Sequence, residues 1–305
     1  MKKALLLLVC AFIALCFSIY ILDINIVEVL SFRDEPAKTL KTEQLNKQQD
    51  GSAAPVVVTK DGWMLVWEDD FDRPSLNMET WTEVDRKDNY NNELQYYTPL
   101  NSYVRNGRLY LTAKRENKNG KRYTSAMVET KDKYSIQTGR IEVKAKMPAG
   151  QGLFPAIWMM SYSGDTEVDI MELIGSEPDM IYAVNHFHIE GKPKKTYDTT
   201  KTNSTDGFHV YALEWEEDEL RWYVDGKMFH HTKRGVPDEK MYLILTLAVG
   251  GNWPGSPEDD SIFPRSMVVE YVRYYRRIPK STGAGGESAG ETGDDLTTKK
   301  DTAGI

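Results

Sequence analysis

From Arg140 to Met147 polar and apolar residues alternate without a fault, Arg-Ile-Glu-Val-Lys-Ala-Lys-Met. A period of two constrains a chain tightly, because only an extended strand with one wet and one buried face satisfies it. Asn106-Gly107, Asn119-Gly120 and Asp225-Gly226 each sit between strand-like runs, and such pairs supply the positive φ that tight hairpins need. Antiparallel pairing follows. No run of ten or more residues shows a convincing helical stripe, and many short strands separated by turns predict an all-β sandwich. A jelly roll with one concave face is the expected form.

The periodic region is bounded at both ends, which leaves residues 63–279 as one domain, a normal size for a single β core. Before it, Met1-Lys2-Lys3 precedes 19 uncharged residues from Ala4 to Leu22. That run is long for a signal peptide and nearly long enough to span a bilayer. Residues 1–30 are therefore expected to be either a cleaved signal peptide or an uncleaved anchor, with Lys2 and Lys3 on the cytoplasmic side. Both readings put the domain outside the cell, secreted or tethered to the outer face of a membrane. Residues 31–62 read as a polar linker and residues 280–305, rich in Gly, Ser, Thr and charge, as a disordered tail. The two cysteines, Cys10 and Cys16, both lie in the apolar segment, so the domain can form no internal disulfide.

The formal net charge of −8 argues against nucleic acid or an anionic membrane surface as a partner. Aromatic residues make up 11% of the chain, with 7 Trp and 17 Tyr. β-rich cores favour these residues, and exposed rings that stack on sugars would account for part of the excess.

The most informative stretch is Asp165-Thr166-Glu167-Val168-Asp169-Ile170-Met171-Glu172, with four acids in eight residues. Alternation puts Glu167 and Asp169 on one face and Val168 and Ile170 on the other. Glu172 breaks the pattern, because a step of three should turn it inward. One extra residue near Ile170-Met171, a β-bulge, would return Glu172 to the face of the other two. Three acids would then line one surface about 6–7 Å apart along the strand. Crowded negative charge raises at least one pKa, so that one carboxyl stays protonated while another ionises. That division of labour is what retaining glycoside hydrolysis requires. The acidic run alone also leaves open an exposed edge strand or a calcium or magnesium site.

At these residues the chain resembles glycoside hydrolase family 16, and within it the laminarinases. Glu167-Val-Asp169-Ile-Met-Glu172 matches the bulged E-x-D-x-x-E signature of that branch. Supporting segments follow in the family's order: Trp67-Glu-Asp-Asp-Phe71, Asn91-Asn-Glu-Leu-Gln-Tyr-Tyr-Thr98, Gly139-Arg-Ile-Glu-Val143, Gly152-Leu-Phe-Pro-Ala-Ile-Trp-Met159, Gly250-Gly-Asn-Trp-Pro-Gly255 and Glu270-Tyr-Val-Arg273. The resemblance implies a concanavalin A-like jelly roll with a concave substrate cleft. It also implies endo-β-1,3-glucanase activity, with Glu167 as nucleophile, Glu172 as acid and then base, and Asp169 hydrogen-bonded to the nucleophile. Trp158 and Trp253 would be cleft aromatics, Asn92 a sugar-hydroxyl contact, and Arg140 a further contact or a solvated strand residue. His186 would hydrogen-bond near the acid/base. No cofactor is required for catalysis, but Asp70, the carbonyl of Gly107 and Glu270 match a structural calcium site with its two acids exchanged. Phe154 stands where laminarinases usually have Trp. A monomer acting on β-1,3-glucan is expected. The competing readings are another glycanase on the scaffold, such as a mixed-linkage β-1,3-1,4-glucanase, and a β-glucan recognition protein without activity.

Overall fold

The computed structural model describes residues 62–278. The expected signal peptide or anchor, residues 31–61 of the linker, and the tail lie outside the described residues. In chain order the strands are β1 (Trp63–Asp69), β2 (Thr82–Glu83), β3 (Gln95–Tyr97), β4 (Ser102–Val104), β5 (Leu109–Ala113) and β6 (Tyr123–Ser125). Next come β7 (Met127–Glu129), β8 (Gly139–Lys146), β9 (Leu153–Ser161), β10 (Glu167–Glu172), β11 (Met180–Ile189) and β12 (Lys192–Lys201). The last five are β13 (His209–Trp215), β14 (Leu220–Val224), β15 (Lys227–Thr232), β16 (Met241–Val249) and β17 (Arg265–Arg277). Among the described residues the only helical turns are two short 3₁₀ segments, Pro99–Asn101 and Asp260–Ile262.

Two sheets form the sandwich. One has the order β15-β14-β13-β8-β17-β5-β4, with β1 also paired to β17; the other runs β12-β11-β10-β9-β16-β7-β2. A short parallel pair, β3 and β6, stands apart. Strand β8 alternates buried and half-buried residues along its whole length, as its sequence demands. The predicted turn pairs adopt the left-handed conformation: Asn106 and Gly107 join β4 to β5 with φ of 52° and 66°, and Asp225 and Gly226 join β14 to β15 with 51° and 78°.

The core lies between the sheets. Ile141, Val143, Leu213, Trp215, Trp222 and Val272 from one sheet meet Ile157, Met159, Val168, Ile181, Leu243 and Leu245 from the other. All nine residues of β16 are buried, because its inner face joins this core and its outer face is covered as well. There Tyr242 and Ile244 pack with Tyr97, Met127, Trp158 and Met160. The outer face of the seven-stranded sheet is thus a partly apolar floor under a cleft.

Candidate active site

Strand β10 carries the acidic run. Against β9, Asp169 lies opposite Trp158 and Met171 opposite Ile157, so one residue is extra. Against β11, the three-residue step from Asp169 to Glu172 matches only the two-residue step from Val184 to Tyr182. The expected bulge is present at Ile170-Met171. It sends two consecutive side chains into the core, where Ile170 is 1% and Met171 0% exposed, and returns Glu172 to the outer face. A bulge disrupts the ladder locally, and here the Asp169 carbonyl accepts a hydrogen bond of 2.9 Å from the indole N–H of Trp222 on the opposite sheet. This bond ties the sheets together at the bulge. Trp222→Phe should leave that buried carbonyl short of a donor and cost about 1–3 kcal/mol. Urea unfolding would read the loss, and a variant as stable as the parent would show that the bulge needs no such tie.

The three carboxyl groups share one face but not one environment. Burial raises Glu167 to about 6. Burial, followed by the negative charge of Glu167, raises Glu172 to about 8. Asp169, 2% exposed, is pushed well above the usual carboxylate range by burial and then by the charges of Glu172 and Glu167. Near neutral pH an ionised Glu167 therefore lies beside a protonated Glu172. That is the split an acid and a nucleophile need.

His186 lies on β11, the strand after the acidic one, and lines the cleft. Antiparallel register places it opposite Glu167, while Tyr182 lies opposite Glu172. Its Nε2 is 3.5 Å from Asp169 Oδ2 and 3.9 Å from Glu167 Oε1. Burial and then the positive charge of Lys195 lower its pKa, so the imidazole is neutral at pH 7. Asp169 Oδ2 is buried without a hydrogen-bond partner. The metal site left open by the acidic run would have to use Glu167, Asp169 and His186, whose ligand atoms lie within 4.8 Å of one another.

Cross-strand registers arrange the floor in rows. One row runs Lys195, His186, Glu167, Met160, Tyr242 from β12 to β16. The next runs Tyr197, Val184, Asp169, Trp158, Ile244, Glu129. A third runs Tyr182, Glu172, Ala156, Thr246, Met127. Every one of these side chains lines a single cleft of about 1110 Å³. Trp158 faces it while its indole N–H donates to Thr246 Oγ1 at 3.3 Å. Trp253, 44% exposed, stands at its margin, braced edge-on by Phe154 at 5.5 Å and Tyr182 at 4.7 Å.

A cleft across a jelly-roll sheet with carboxylates at its centre has sequence counterparts. Residues 88–272 match the glycosyl hydrolases family 16 profile. The chain belongs to family 16. A β-glucanase of Rhodothermus marinus is 38% identical over 247 residues, covering 71% of this chain and 86% of that protein. The glucan endo-1,3-beta-glucosidase A1 of Niallia circulans is 33% identical over 70% of this chain, which spans only 38% of that longer protein. Among solved structures, the endo-beta-1,3-glucanase of Pyrococcus furiosus superposes with a TM-score of 0.66 at 33% identity, covering 74% of this chain and 99% of that one.

Within this family 16 glycoside hydrolase, some expected site residues lie elsewhere. Arg140 is on β8 of the opposite sheet, ion-paired to Glu142 at 2.7 Å and Glu214 at 2.9 Å; it solvates and charge-balances its strand and cannot reach the cleft. Asn92 adopts the left-handed conformation and donates its amide to Asn252 Oδ1 at 2.7 Å. It pins two loops together, and Asn91 and Asn252 line the cleft in its place. The calcium ligands do not fit a cation as they stand. Glu270 is held by Lys144 at 2.8 Å and Arg108 at 3.9 Å, and Asp70 is exposed on the turn after β1. Sequence reasoning missed Lys195, Tyr182 and Trp222, whose positions depend on strand pairing and sheet stacking and carry no local motif.

Proposed function

We propose that this family 16 hydrolase is a retaining endo-β-1,3-glucanase. The observation that carries the reading is the bulge at Ile170-Met171, which sets Glu167 and Glu172 on one face with their acidities pushed apart. The relatives named above as glucanases support the substrate class. Glu167, ionised, attacks the anomeric carbon as the bond to the departing sugar breaks, and Glu172 gives its proton to the leaving oxygen. A glycosyl ester on Glu167 results. Glu172, now a base, takes a proton from water as that water attacks the same carbon and the ester bond to Glu167 breaks. Asp169, whose protonated form burial favours, would donate to Glu167 and modulate its charge. The half-buried Trp158 and the exposed ring of Trp253 offer π faces to sugar C–H groups.

The test is a panel of laminarin, lichenan, agarose and carrageenan with NMR of fresh digests. Laminarin is expected to be cleaved fastest, with the β anomer as the first product. An α anomer appearing first would remove the double displacement, and preferred cleavage of lichenan would move the enzyme to mixed-linkage glucan.

A further inference from the structure

Lys195 is a charge that the proposed reaction does not use. It lies on β12, the edge strand of the seven-stranded sheet, and lysines on edge strands commonly block edge-to-edge pairing. That explanation suits Lys192 and Lys194, which point away from the cleft by alternation. Lys201 shares the cleft face but is paired to Asp179 at 3.7 Å. Lys195 differs from all three. It lines the cleft, in register with His186 and through it with Glu167, and no carboxylate among the described residues lies within 4.0 Å of its ammonium group. Its ammonium group lies over the ring of Tyr197, with Nζ 5.3 Å from the centroid. Its field nonetheless reaches inward, where it counteracts the raised pKa of Asp169 and Glu172 and helps to keep His186 neutral.

An ammonium group aimed into a substrate groove without a counter-ion is a site for one. Two strand spacings, about 9–10 Å, separate β12 from β10, so Lys195 stands beside a sugar neighbouring the one that reacts. Tyr197, 62% exposed, offers the flat apolar face on which such a ring can rest. The acids at the reaction offset this attraction only in part, because Glu172 is protonated near neutral pH and burial disfavours the ionised form of Asp169, which leaves the ionised Glu167 two strand spacings away.

We infer that Lys195 and Tyr197 form a subsite for a sugar carrying an anionic substituent, a carboxylate or a sulfate, at the β12 end of the cleft. This rests on the glucanase reading for the backbone of the polymer and adds the substituent. It makes Lys195 a specificity-determining residue, with Tyr197 as its platform.

The experiment compares kcat/KM on neutral laminarin with that on lightly carboxymethylated and lightly sulfated β-1,3-glucan, for the parent enzyme, Lys195→Gln and Lys195→Arg. In Lys195→Gln the ratio of modified to neutral substrate should fall about tenfold, equivalent to roughly 1.4 kcal/mol, on whichever anion the subsite takes. Lys195→Arg should keep the ratio. The parent's ratio should itself shrink as salt rises from 0.05 to about 0.5 M. A ratio unchanged by Lys195→Gln on both modified glucans overturns the inference. So does an equal loss on all three substrates with a displaced pH profile, which would make Lys195 a tuner of the carboxylates instead. If the parent cleaves no β-1,3-glucan, the glucanase reading fails separately. Lys195 is then read by the same comparison of affinities for agarose and carrageenan, a neutral and a sulfated galactan.

Discussion

Glu167→Gln should lower the rate of laminarin hydrolysis by about 10⁴-fold or more, the scale on which removal of a nucleophile is felt, while laminari-oligosaccharides still bind. The amide keeps the shape and cannot form the ester. Glu167→Ala sharpens the test, because it opens space on the attacking face. Added azide should then turn over an aryl laminaribioside and release the α-glycosyl azide, since a single displacement inverts the anomeric centre. The same substitution predicts a shift in acidity elsewhere. The charge of Glu167 is the second cause of the raised pKa of Glu172, so without it Glu172 should ionise more easily. The alkaline limb of the rescued reaction should therefore move below the parent's limb near 8. Stability runs the other way. Glu167 titrates at about 6 in the folded chain against an ordinary 4.5, so its ionisation opposes folding increasingly as pH rises through that window and not below it. Glu167→Gln should melt higher than the parent at pH 7 and equally at pH 4. A β-glycosyl azide, or turnover within tenfold of the parent, would move the nucleophile to another residue.

What could be read in advance followed a physical boundary. Anything set by parity along one strand was visible. The three-residue step from Asp169 to Glu172 demanded an inserted residue, and the structure places it at Ile170-Met171. The left-handed pairs Asn106-Gly107 and Asp225-Gly226 announced their hairpins for the same kind of local reason. Anything set by pairing between strands was hidden. Arg140 was correctly a wet-face residue, but alternation does not say which sheet the face belongs to, and β8 is in the sheet away from the cleft. That His186 faces Glu167 follows from antiparallel register, which no spacing along one strand reveals. Lys195 carries no local motif, and only the pairing of β12 with β11 brings it to the cleft. Asn92 had the right chemistry for a sugar contact and lost it to a turn, where its amide closes on Asn252.

Glu172→Ala should divide substrates by their leaving groups. Laminarin departs as a sugar alkoxide and needs a proton, so kcat/KM should fall by about 10³–10⁴-fold, the upper range for general acid catalysis. A 2,4-dinitrophenyl laminaribioside leaves without that proton, and its first bond cleavage should proceed near the parent rate, followed by a slow second step because no base activates water. A burst of dinitrophenol followed by slow turnover is the expected trace. The pH profile gives an independent reading. In the parent, kcat/KM should rise as Glu167 loses its proton near 6 and fall as Glu172 loses its own near 8; because the groups interact, these limbs belong to the pair. Glu172→Ala should erase the alkaline limb and keep the acid one near 6, because Glu172 is still protonated where Glu167 titrates. Met171 and Glu172 would exchange faces without the bulge, and the acid would be buried in the core opposite the cleft. An alkaline limb that survives in Glu172→Ala would belong to Asp169, the other carboxyl on that face with a strongly raised pKa, and the acid's role would pass to it.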